Sequence, residues 1–134
     1  MAFGLERIEA AGPRQVLGPR HQNRLVIAPQ QHAPYSPFLF LAEDWFAPPA
    51  GFPTHPHRGM ETVTFVLEGQ MIHEDHTGAH GELEAGDIQF MTAGGGGLHS
   101  EMPGPQGLHS LQLWLNLPSA QKMTQARYSD QRAA

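Results

Sequence analysis

Glycine and proline punctuate this chain so closely that no uninterrupted stretch reads as a long helix. Fifteen glycines and twelve prolines in 134 residues make up about a fifth of the sequence, below the roughly 25–30% of low-complexity disorder. The runs left between them are short and rich in β-branched, aromatic and aliphatic residues. Phe38-Leu39-Phe40-Leu41, Thr62 to Glu68, Ile88 to Thr92 and Leu108 to Leu117 all suit strands. Val16, Leu25, Val26 and Ile27 are the best strand material near the start. Met71 to Asp75 and Gly81 to Glu84 flank Thr77-Gly78, which predicts a hairpin. Gln30 to Pro37 and Ala47 to Pro53 read as loops. About six to nine short strands without a long helix predict an all-β sandwich or barrel. The expected layout is an arm or edge strand over 1–24, a core over 25–118, and a short helix or tail over 119–134.

Composition excludes several classes of function. There is no cysteine, so disulfides, thiolate metal sites and cysteine nucleophiles are absent. Net charge is −5 with histidines neutral, and no Lys/Arg cluster offsets it, so direct nucleic-acid binding is not expected. No apolar run approaches the roughly 20 residues of a membrane helix. Met1 to Arg20 carries Glu6, Arg7, Glu9, Arg14 and Arg20 and has no apolar core of a signal peptide. These features predict a cytoplasmic protein without a membrane partner.

Against that background the histidines stand out. His55 and His57 lie two residues apart, and in extended backbone both imidazoles face one side. His99 and Glu101 repeat the spacing some forty residues later. Two such pairs, delivered by strands facing across a barrel, would close on one ion. Three imidazoles and a carboxylate suit iron, manganese, zinc, copper or nickel. Pro56, between the first two histidines, lacks an N–H and favours an edge or bulge. In an uninterrupted strand Glu61 shares their parity, as a fifth candidate or an outer partner.

Other signals have plainer readings. His73, His76 and His80 surround the predicted hairpin turn and read as a solvated loop. Gly94 to Gly97 lacks the ending of a phosphate loop and reads as a hinge before His99. Arg58 has opposite parity to its histidine neighbours and is expected to point away, in an ion pair or packing role. Leu111, Leu113, Leu115 and Leu117 share one face of their strand.

The order of these blocks carries a resemblance. His55-Pro-His-Arg-Gly-Met-Glu-Thr-Val-Thr, His73-Glu-Asp, Gly86-Asp-Ile-Gln-Phe-Met-Thr-Ala-Gly, Leu98-His-Ser-Glu-Met-Pro and Leu111-Gln-Leu-Trp-Leu-Asn-Leu-Pro resemble the N-terminal cupin domain of the pirin family. The likeness runs from about Leu25 to Tyr128. It implies a double-stranded β-helix (jelly-roll-like) barrel holding one mononuclear metal, usually iron as Fe(II), with Mn, Ni, Cu or Zn as alternatives. The ligands it implies are His55, His57, His99 and Glu101, with Glu61 nearby but not bound. Some pirin-like proteins resemble quercetinases, which open a flavonol ring with dioxygen. That activity would need a small aromatic substrate and a base, for which Glu101 is the candidate. Met60, Phe65, Phe90, Met91 and Trp114 are the expected apolar lining. The competing reading is a non-catalytic metal-binding regulatory protein.

Two departures from the family pattern matter. Family members usually carry two cupins, so a single one predicts an exposed apolar surface covered in a homodimer. Gly95 and Gly97 stand where the family tends to have larger residues, which predicts a looser or wider mouth.

Overall fold

The computed structural model describes residues 10–134. The expected N-terminal arm therefore lies, for residues 1–9, outside the described residues. The remainder of that arm is not loose: β1 (Gln15–Gly18) and β2 (His21–Ile27) form an antiparallel pair there. β3 (Phe38–Phe46), β4 (Phe52–His57), β5 (Met60–Asp75), β6 (His80–Glu84), β7 (Ile88–Thr92), β8 (Gly97–Asn116) and β9 (Arg127–Gln131) follow. The hydrogen-bonded order is β1-β2-β3-β8-β5-β7-β9, with β4 on β8 and β6 on β5. All pairings are antiparallel.

The two long strands form the spine. β5 and β8 pair from Met60↔Asn116 to Asp75↔His99, with breaks in register near Gly69. Gly69 has φ +77° and Gly107 has φ +94°, and a Cβ on Gly69 would meet the Gly107 carbonyl oxygen at 2.2 Å. Only glycine permits both that backbone region and that approach. The spine therefore bends at one level, with β3 and β7 alongside one half and β4 and β6 alongside the other. The sheet closes into a double-stranded β-helix barrel, as the motif order implied.

Inward residues divide the interior into layers. On β5 the inward row reads Met60, Thr62, Thr64, Val66, all buried. Phe46, Val66, Met71, Leu83 and Leu108 pack one apolar cluster, and Met60, Met91 and Ala93 another. Between them lies a polar layer that includes Thr64, Glu101 and Gln112. On β8 Ser110 and Gln112 point in, so Leu111, Leu113 and Leu115 lie on the outer face. There Leu41, Leu113, Val63 and Phe90 pair across four strands in one row.

The C-terminal reading is corrected. Residues 119–134 hold a single 3₁₀ turn, Ser119–Gln121, and then β9, which pairs with β7 from Ile88↔Gln131 to Thr92↔Arg127. Polar alternation in Arg-Tyr-Ser-Asp-Gln hides a strand whose one inward aromatic is Tyr128. The glycine run is not a hinge either. Gly94 has φ +53°, and a Cβ there would lie 2.0 Å from the Thr124 carbonyl oxygen. Gly95 donates its backbone N–H to that same oxygen at 2.9 Å. The run is the seat on which the C-terminal segment rests.

Candidate metal centre

β4 and β8 are hydrogen-bonded neighbours, and His55 and His99 are direct partners in their register. The two histidine-bearing segments thus lie side by side, rather than across the barrel as the spacing suggested. Parity still aims His55, His57, His99 and Glu101 inward. His55 Nε2 is 3.0 Å from His57 Nε2 and 3.0 Å from His99 Nε2. One nitrogen from each ring falls within a 4.8 Å group. Glu101 Oε2 lies 3.8 Å from His99 Nε2. His57, His99 and Glu101 are buried, whereas His55 is half-buried.

The tautomers fit a cation. His55 Nδ1 lies 2.8 Å from the Pro53 carbonyl oxygen, which can only accept, so Nδ1 carries the proton and Nε2 presents a lone pair. That lone pair could accept an N–H from one neighbouring ring, whereas a cation among the three nitrogens would engage a lone pair from each. Nitrogens at about 2.1 Å from one ion and about 90° apart would be separated by about 3.0 Å, the spacing of His55 Nε2 from each of the other two Nε2 atoms. This is a metal-binding arrangement.

Burial tunes the donors in the same direction. It lowers the His57 pKa to about 4, helped by the neighbouring His55. Burial first, then His55 and His57, lower that of His99 to about 3. Both rings stay neutral and able to bind in mild acid. Glu101 moves the opposite way: burial raises it, against hydrogen bonds from Gln112 and Thr64 that favour the carboxylate.

Those bonds come from residues the sequence did not single out. Gln112 Nε2 donates to both Glu101 oxygens at 2.9 Å, and Thr64 Oγ1 donates to Oε1 at 3.1 Å. Trp114 Nε1 in turn donates to Gln112 Oε1 at 2.9 Å. The available signal was parity, since residues alternating with the β8 leucines must face the other way.

A cavity of about 450 Å³ opens onto His55 and His57. Phe40, Phe52, Met60 and Trp114 wall it, and Arg58 stands at its rim. Of the expected lining, Met60 and Trp114 are there. Phe65 and Phe90 instead share the outer face, opposite Leu111 and Val63, and Met91 lies in the core. Arg58 is exposed and its guanidinium packs on Met123, with Nη2 3.6 Å from Sδ, in the packing role expected for it.

Glu61 is also displaced. Gly59, at φ +68°, separates β4 from β5 and breaks the parity assumed between His57 and Glu61. Glu61 accepts a hydrogen bond from Thr92 Oγ1 at 2.5 Å, on the face opposite Thr62 and Thr64. His76 and His80 are exposed as expected, but His73 is buried, 2% exposed, inside the barrel.

The pirin family's sequence pattern matches residues 20–115. The chain belongs to the pirin family. Pirin-1 of Arabidopsis thaliana is 52% identical over 94 residues, covering 70% of this chain and 33% of its own length. This pirin thus spans about a third of that relative. Among solved structures, a quercetin 2,3-dioxygenase from Acinetobacter baumannii superposes with a TM-score of 0.77 at 33% identity, over 90% of this chain and 46% of the other. The bacterial pirin YhhW of Escherichia coli, in complex with nickel(II), superposes with a TM-score of 0.76 at 30% identity, over 91% of this chain and 55% of the other. The barrel is a single cupin.

Proposed function

We propose that this pirin is a mononuclear metal-dependent dioxygenase of quercetinase type, acting on a flavonol or a related phenolic. The observation that carries the reading is an apolar cavity that opens onto His55 and His57, two of three converging imidazoles. His55, His57, His99 and Glu101 would hold the ion, for which Fe(II) is our assignment, with Mn, Ni, Cu and Zn as alternatives. A metal bound there supplies an electrophilic centre with free positions for substrate oxygen and dioxygen. Phe40 and Trp114 pack on each other, with ring centroids 4.6 Å apart, and together form one apolar wall against which a planar ring system would lie. Glu101 takes the substrate hydroxyl proton on a carboxylate oxygen, its basicity raised by burial. Gln112 keeps that carboxylate oriented while Trp114 fixes Gln112.

Oxygen uptake with quercetin tests this, using protein loaded with each candidate metal in turn. Metal-dependent uptake is expected, and at equal metal content Glu101→Gln should lower the rate by about 10²-fold or more. Equal rates would remove Glu101 as base. No uptake with any of the metals would favour the second reading, a non-catalytic metal-binding interaction protein. One observation points that way: both Glu101 oxygens already accept hydrogen bonds.

We also propose that the outer apolar row through Leu41, Leu113, Val63 and Phe90 is covered by a second copy of the chain. The row continues across four paired strands, and Phe90 remains 36% exposed, the arrangement of a self-complementary face.

A further inference from the structure

Four buried side-chain polar atoms among the described residues have no hydrogen-bond partner, and two of them belong to neighbouring rings: His73 Nε2 and His99 Nδ1. Their ring centroids are 5.3 Å apart at an interplanar angle of 64°. His73 is the register partner of Glu101 and is 2% exposed, and His99 is 1% exposed. Neither orphan is exposed to bulk solvent, and buried polar atoms are rarely left unpaired side by side.

The use follows from how His99 faces the cluster. Its Nε2 is the atom that meets His55 Nε2, so binding a cation there requires the lone pair on Nε2 and the proton on Nδ1. A buried Nδ1–H needs an acceptor to hold that tautomer and the ring plane. His55 meets the same need with the Pro53 carbonyl. No backbone carbonyl or carboxylate serves Nδ1 of His99. The unpartnered nitrogen on the adjacent ring is His73 Nε2.

We propose that His73 is a positioning residue for the metal centre: its Nε2 accepts the Nδ1 proton of His99 and so keeps Nε2 of His99 aimed at the ion. That bond would pair the two unpartnered nitrogens with each other. The far side of His73 is braced by Tyr128 of β9, whose ring centroid is 4.4 Å away. The Asp75 carboxylate lies near the Tyr128 hydroxyl and, after burial, raises its pKa. The C-terminal strand thus fixes the residue that fixes a ligand.

The inference rests on His99 being a ligand, and its test separates the two. Zn(II) affinity is measured by chelator competition in wild type, His99→Ala, His73→Phe and His73→Gln, together with thermal melting of each metal-free protein. If His99→Ala keeps full affinity, the ligand assignment falls and His73 falls with it. If His99→Ala loses zinc, His73→Phe, which keeps the ring and lacks the acceptor, should weaken zinc by about 10–100-fold. His73→Gln, whose carbonyl oxygen can accept, should recover most of that loss. Unchanged affinity in His73→Phe, or equal weakening in both His73 variants, would overturn the proposal. Should His73→Phe fail to fold, nitrogen-15 spectra of zinc-loaded wild type decide it. They should show His99 protonated at Nδ1 with scalar coupling across the hydrogen bond to His73 Nε2. A His99 ring protonated at Nε2, or an Nδ1 proton without that coupling, overturns it.

Discussion

His57 and His99 make the metal-free protein sensitive to acid in a defined direction. In the unfolded chain an imidazole takes up its proton near pH 6.5, whereas in the folded barrel these two wait until about pH 4 and about pH 3. Below pH 6.5 the unfolded state therefore binds more protons, and the stability these neutral rings contribute is lost as pH falls through that window. Urea unfolding of metal-free protein from pH 7.5 to 4 should show a decline on the order of a few kcal/mol. Glu101, with its raised value, acts with the opposite sign and lessens the decline. By the same shifts, metal affinity is expected to hold below pH 6.5, where free imidazole would already fail, which chelator competition at about pH 5.5 would check. Gln112→Leu should cost about 1.5–3 kcal/mol at pH 7, the scale of hydrogen bonds to a charged group, read from the same unfolding curves. Much of this site was legible in the sequence, because the i, i+2 spacing survives in both strands. His73 was not, because a histidine next to a turn looks solvated until β5 is known to run inward to Asp75. Glu61 misled for a related reason: parity counts only while the strand is unbroken, and Gly59 breaks it.

Among the elements, the glycine turn and the C-terminal segment belong together. Gly94→Ala adds a Cβ at a positive φ and against the Thr124 carbonyl, so it should destabilise the protein by more than about 2 kcal/mol. Gly95→Ala and Gly97→Ala meet only ordinary contacts, at 3.6 Å and 3.7 Å, and lack a positive φ. Both should stay within about 1 kcal/mol of wild type by thermal melting. Asp87 supports the same end of the chain. It is held below the usual carboxylate range by the backbone N–H groups of Glu84 and Ala133 and by Arg132. The hairpin over β5 and β6 was readable from Thr77-Gly78. β9 was not, since an edge strand with one inward side chain leaves no hydrophobic alternation to find.

For the whole molecule the sequence delivered fold class through punctuation and motif order. It could not say which face of an alternating strand is the inside. Leu111, Leu113 and Leu115 look like core, yet the barrel interior at that level is polar because it must hold Glu101 among donors. The outer leucines are what make the dimer proposal testable. Light scattering at micromolar concentration should give about twice the 14.7 kDa chain mass. Phe90→Lys, on the exposed row, should halve it without altering metal content. A wild-type mass of one chain would end the proposal.

The direct pairing of His55 with His99 has a polymer consequence. An ion held by that pair ties together residues separated by 44 positions, in a chain that has no cysteine to cross-link. Such a tie excludes the open conformations of the intervening loop for as long as the ion stays bound, as a disulfide would. It differs from a disulfide in that unfolding scatters the ligands and releases the ion, so the tie strengthens the folded state only in proportion to free metal, and a chelator removes it.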